Sequence, residues 1–186
     1  MPRSGEEGVS PVIGVVLLVA TVVLLAAGVF FSVSGTASQL SQPKMVGIEA
    51  GTLKADEVCE GGYCDQTVRL RNVAGGDIDV SETEIVVELP NGNAGRLVDL
   101  PSDDRDLDDE NVEGDDIFSL SALQAGGSIT EGGSDTDGVW SSGEKIRFRI
   151  KQSDDGMSLE PGDEVRVRVV DTASGTVIYR QSLTAE

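Results

Sequence analysis

A chain of 186 residues with 33 acidic side chains, 14 basic ones, a formal net charge of -19 and no histidine excludes several classes of function. A surface this acidic repels nucleic acid and anionic lipid headgroups, and without histidine the commonest general base and every Ser-His or Cys-His nucleophile are missing. Setting aside an apolar N-terminal segment leaves about 140 residues, enough for one ordinary domain.

In chain order, residues 1–8 are a short polar leader in which Arg3 and the α-amino group oppose Glu6 and Glu7, so the positive-inside signal is weak. Residues 8–43 carry no charged side chain, and the apolar stretch from Pro11 to Phe31 is 21 residues long. As a helix it would span about 30 Å, the thickness of a bilayer hydrocarbon core. Gly14, Ala20, Ala26, Ala27 and Gly28 lie among its Val and Leu residues, and small residues let helices approach closely. Pro11 falls in the first turn, where its missing N–H costs nothing. Residues 36–43, small and hydroxylic and closed by Pro43, read as a linker. Two other readings of the helix are a plain one-pass anchor and a secretory signal cleaved after Ala37. The apolar run is longer than the h-region of about 7–15 residues typical of such signals.

Beyond Lys44 the period changes to two. Val46 and Ile48 alternate, as do Val68, Leu70 and Asn72 against Arg69 and Arg71. Ile85, Val87 and Leu89 follow and stop at the turn signal Pro90-Asn91-Gly92-Asn93. Ile146, Phe148 and Ile150 alternate with Lys145, Arg147 and Arg149, and Val165, Val167 and Val169 with Arg166 and Arg168; Val177 and Tyr179 close the series after Ala173-Ser174-Gly175. Strands with one apolar and one polar face predict antiparallel sheets packed on one side, and about seven to nine of them make a β-sandwich. The fold class is therefore mainly β: an N-terminal hydrophobic helix followed by an antiparallel β-sandwich head.

Two polar segments interrupt the strands. Residues 102–116 hold nine carboxylates, and 126–138 is rich in Gly, Ser and Asp; both are expected to be mobile surface loops. The spacing Asp104-x-Asp106-x-Asp108 is that of a calcium loop, but Asp109 stands where such a loop turns on Gly, and a solvated acidic loop is the reading adopted. Cys59 and Cys64 are separated by four residues. If export takes them to an oxidising space they can close a short disulfide loop; the alternative is two unpaired surface thiols. Two thiols without histidine do not make a zinc site. No metal, cofactor or catalytic residue is assigned. The acidity, with only four lysines, fits a very salty medium in which screening removes self-repulsion.

The segment Gly8-Val9-Ser10-Pro11-Val12-Ile13-Gly14-Val15-Val16-Leu17-Leu18-Val19-Ala20-Thr21 closely resembles the N-terminus of archaeal type IV pilins, especially those of haloarchaea. The resemblance covers about residues 8–31, and Ser10-Pro11-Val12-Ile13-Gly14 is its core. It implies cleavage by a prepilin peptidase between Gly8 and Val9. It also implies a helix that first anchors the subunit in the membrane and then packs into a filament core. Glu6 and Glu7 stand where many such leaders are basic, and Ile13 stands at the fifth mature position, which is acidic in bacterial pilins.

The resemblance implies a structural subunit of an archaeal type IV pilus-like surface filament. The expected divisions are a leader 1–8, an assembly helix 9–35, a linker 36–43 and a head 44–186 exposed for adhesion. Its partners would be the membrane, the prepilin peptidase and copies of itself or other pilins, with no nucleic acid. It would sit in the cell membrane before assembly and in an extracellular filament afterwards. The alternative is a monomeric membrane-anchored extracellular binding module. A secreted hydrolase would need a carboxylate pair clustered in a cleft.

Overall fold

The computed structural model describes residues 13–25, 45–55, 66–104, 106–120, 125–131, 137–152 and 158–186. The chain divides into two units, Met1–Ser41 and Gln42–Glu186.

In the first unit, residues 13–25 form helix α1. Seven of its side chains, Ile13, Val15, Val16, Val19, Thr21, Val22 and Val23, are β-branched, a type that loses rotamer freedom in a helix. What favours the helix is an apolar surrounding, where it alone satisfies every backbone N–H and C=O within one segment. Thr21 Oγ1 follows the same logic, donating to the Leu18 carbonyl at 2.8 Å.

The second unit contains ten strands: β1 (Val46–Ala50), β2 (Thr67–Gly75), β3 (Ile78–Asp79), β4 (Thr83–Glu88), β5 (Ala94–Leu97), β6 (Val112–Gly114), β7 (Val139–Trp140), β8 (Lys145–Arg149), β9 (Glu164–Asp171) and β10 (Thr176–Thr184). They form a three-stranded sheet β1-β2-β8, a five-stranded sheet β10-β9-β4-β5-β6 and a small β3-β7 pair, and every ladder is antiparallel. The expected alternation decides which face is inside. Val68, Leu70, Ile146 and Phe148 of the smaller sheet share one core with Ile85, Val87, Leu97, Val165, Val167 and Val169 of the larger. Phe118 meets Phe148 edge to face, with ring centroids 5.8 Å apart, a favoured aromatic geometry. The β4–β5 hairpin turns where the sequence predicted: Leu89 N donates to the Asn93 carbonyl at 2.8 Å, and Gly92 has φ +91°. The C-terminus is built in. Ala185 pairs in parallel with Leu53, Ala55 N donates to the Glu186 carbonyl at 2.9 Å, and Glu186 N donates to the Leu53 carbonyl at 3.0 Å.

Three expectations require correction. Val177 and Tyr179 do not share an environment: the β9–β10 register shifts between them, so Val177 is 38% exposed while Tyr179 is buried. The last strand instead sends Tyr179 and Leu183 into the core, and Ala185 just beyond it is buried there too. The acidic segment 102–116 is not a loose loop. It contains a 3-10 turn (Asp109–Asn111), strand β6, and the buried residues Ser102, Leu107 and Asn111. Segment 126–138 likewise buries Ser128, Ile129 and Thr130; residues 132–136 lie outside the described residues. Polar segments can be buried where their hydrogen bonds are met. Here Ser102 N donates to the Ile129 carbonyl at 3.0 Å and Glu131 N to the Ser102 carbonyl at 2.9 Å.

Candidate functional site: the apolar helix and the charged faces of the head

Of the motif residues, Ile13 and Gly14 open α1. Gly8, Val9, Ser10, Pro11 and Val12 lie outside the described residues, as do Cys59 and Cys64. The helix is apolar on every side, from Ile13 through Val15, Val16, Leu17, Leu18 and Val19 to Leu24 and Leu25. All of these are exposed, Leu18 at 64% and Leu24 at 72%. A helix hydrophobic all round is stable only when other apolar matter surrounds it. Its described length is about 20 Å, and among the described residues no helix is long and apolar enough to cross a membrane.

The head presents two outer faces of different electrostatic character. On the five-stranded sheet three cations have an acid beside them, while Arg180 lies opposite Arg168 across the β9–β10 ladder. Arg96 contacts Glu113 at 2.7 Å and Glu84 at 3.8 Å, Arg166 contacts Glu88 at 2.7 Å, and Arg168 binds the other oxygen of Glu88. On the three-stranded sheet the β2–β8 register sets Arg69 opposite Arg147 and Arg71 opposite Lys145. All four are exposed. Like charges directly opposed across a ladder are destabilising.

The described residues of the acidic segment are tied to the head by hydrogen bonds and ion pairs. Asp108 caps the 3-10 turn, its Oδ1 accepting from Glu110 N at 2.9 Å, while Asn111 Oδ1 accepts from Asp108 N at 3.2 Å and Asn111 Nδ2 donates to the Asp99 carbonyl at 3.0 Å. Asp115 accepts from Ala94 N at 2.8 Å, and Asp116 binds Lys151. Among the described residues no group of three or more acidic or cysteine side chains is arranged to hold a metal ion.

Sequence reasoning missed the polar node under the basic face. Buried Asn72 donates Nδ2 to the Trp140 carbonyl at 3.0 Å, Trp140 Nε1 donates to the Glu144 carbonyl at 3.1 Å, and Glu144 Oε2 accepts from Ser141 N at 2.8 Å. An Asn at an apolar-phase position of β2 was its visible signal.

An apolar helix exposed on every side, in a chain that also carries a β-rich head, defines a class of protein whose helix is buried among other molecules. Residues 7–46 match the family model described as archaeal type IV pilin, N-terminal, so the chain carries the N-terminal segment of an archaeal type IV pilin, a structural rather than enzymatic family. No curated protein matches the chain.

Proposed function

We propose that the chain is a structural subunit of an archaeal type IV pilus-like surface filament. Residues 1–8 are removed by a prepilin peptidase after Gly8. The segment 9–35 anchors the subunit in the membrane and then polymerises into the fibre core, residues 36–43 link it to the head, and the head 44–186 faces outward for adhesion. The observation that carries this reading is the all-round apolar, exposed surface of α1 within the matched segment. Burial of such side chains is worth about 1.5–3 kcal/mol each, so they drive association with lipid and then with other helices. Cys59 and Cys64 pair once outside the cell, and the acidic surface suits a very salty medium.

Intact-mass analysis of extracellular filaments sheared from cells tests the proposal. The chain should be present there and begin at Val9. A chain confined to membranes with its leader intact would overturn it in favour of the anchored binding module. A chain beginning at Ser38 would overturn it in favour of a secretory signal.

A further inference from the structure

We propose that the outer face of the β1-β2-β8 sheet docks the acidic segment 102–116 of a second copy of this chain, head to tail; the inference rests on the filament-subunit reading. The chain has only 14 basic residues, and four of them, Arg69, Arg71, Lys145 and Arg147, are set in opposed like-charge pairs on this one face. Glu49, opposite Arg71 on β1, is the single carboxylate in that register. Among the described residues Arg69, Lys145 and Arg147 have no ion-pair partner, and Arg71 spends its Nε on the Gly143 carbonyl at 3.2 Å. On the five-stranded sheet of the same head Arg96, Arg166 and Arg168 are paired with Glu, and the one opposed like-charge pair there, Arg168 with Arg180, has Glu88 on Arg168. The smaller sheet therefore holds four clustered cations against one carboxylate, an excess of positive charge that an outside anion would relieve.

The chain supplies that anion. In segment 102–116, Glu113 and Asp116 are occupied by Arg96 and Lys151, and Asp108 and Asp115 by backbone N–H groups. Asp103, Asp104, Asp109 and Glu110 remain exposed, without an ion pair among the described residues. Asp109 and Glu110 stand on a capped turn whose Asn111 is buried, and Asp103 and Asp104 follow the buried Ser102, so little ordering is needed on contact. At a net charge of -19 a free polyanion is repelled at long range. A second head tethered in the same fibre is not limited in that way, because the shared core sets a high effective concentration. The two patches are different surfaces on one chain, so the contact is heterologous and repeats along a filament instead of closing into a pair.

Zero-length carbodiimide cross-linking of sheared filaments tests this, with the cross-linked dimer isolated on a denaturing gel and its peptides mapped by mass spectrometry. Lys145 should be joined to a carboxylate of segment 102–116. A Lys145 that stays unmodified in intact filaments, or is joined to a different protein, would overturn the inference while leaving the filament reading standing. Absence of wild-type filaments would overturn the filament reading itself. In cells, Arg69→Glu with Arg147→Glu should lower filament yield about tenfold while the membrane pool of the chain is retained, and adding Asp103→Arg with Asp104→Arg should restore it. If the reversed chain is lost from the membrane, Arg69→Gln with Arg147→Gln replaces it and must lower the Lys145 cross-link. Unchanged filaments and an unchanged cross-link would overturn the proposal.

Discussion

Asn72 Nδ2 donates to the Trp140 carbonyl at 3.0 Å across 68 positions of sequence, tying the middle of β2 to the turn that launches β8. The same side chain reaches the Gly76 carbonyl at 3.3 Å, and its backbone exchanges hydrogen bonds with the 143–144 turn, Asn72 N donating to Glu144 O and Gly143 N to Asn72 O. Asn72 is completely buried, so the pairing of these two strands depends on a polar group that has no water to fall back on.

Asn72→Leu keeps the volume and removes both side-chain donors. Leaving the buried Trp140 carbonyl without its donor costs about 1–3 kcal/mol, and the variant should lose about that much stability, since Gly76 is exposed and its carbonyl can turn to water. Trp140 is the only tryptophan and sits inside the node, so its fluorescence during denaturant unfolding of the full chain reports the loss directly. An unchanged midpoint would refute this role for Asn72.

Gly127 has φ +82°, and a Cβ placed there would lie 2.1 Å from the Lys145 carbonyl oxygen. Neither the backbone angle nor the strand opposite can give way cheaply. Gly127→Ala should destabilise the head by about 2–4 kcal/mol and should loosen the 126–131 segment that braces Ser102. Gly92→Ala, with φ +91° but open space around it, should cost less, about 1 kcal/mol. Melting temperatures of the two variants compared with wild type decide the order.

Tyr179 is buried in the last strand and donates to Gln181 Oε1 at 2.8 Å; desolvation by burial pushes its phenol up from 10.0 to about 12. The folded state thus holds its proton where the unfolded state has released it. Stability from this group is fully present below pH 10 and falls between pH 10 and about 12, with a slope of at most about 1.4 kcal/mol per pH unit. Alkaline unfolding curves should show that slope in wild type and lack it in Tyr179→Phe. Equal slopes in both would refute the upward shift of the Tyr179 phenol.

Stability should also rise with salt. The Debye length shortens from about 10 Å at 0.1 M to about 3 Å at 1 M, which removes repulsion within a chain of net charge -19. Asn and Gln at Asp103, Asp104, Asp109 and Glu110 should flatten that dependence without loss of stability in dilute salt, because the side chains of these four have no ion pair among the described residues. Asp108→Asn retains a capping side chain, whereas Asp108→Ala should cost about 1 kcal/mol at any salt concentration. Melting temperature measured against NaCl for each variant separates the two effects.

What the sequence by itself determined was everything that depends on period and local chemistry. The unbroken apolar run marked α1, the alternation through Val68 and Leu70 or Val165 to Val169 assigned β2 and β9 their inner faces, and Pro90-Asn91-Gly92-Asn93 announced a hairpin. The motif Ser10-Pro11-Val12-Ile13-Gly14 pointed to the pilin N-terminal segment. Tertiary structure alone decided which strands are neighbours. Alternation shows that Arg69 and Arg147 point away from the core, but only the β2–β8 ladder sets them opposite each other, since register is a property of two strands and not of one. The same holds for the acidic segment. Its composition reads as a solvated loop, and it is folded because Ser102 and Asn111 find hydrogen-bond partners contributed by residues 129–131 and 98–99. Burial of a polar side chain depends on partners that come from elsewhere in the fold, and local sequence does not encode them.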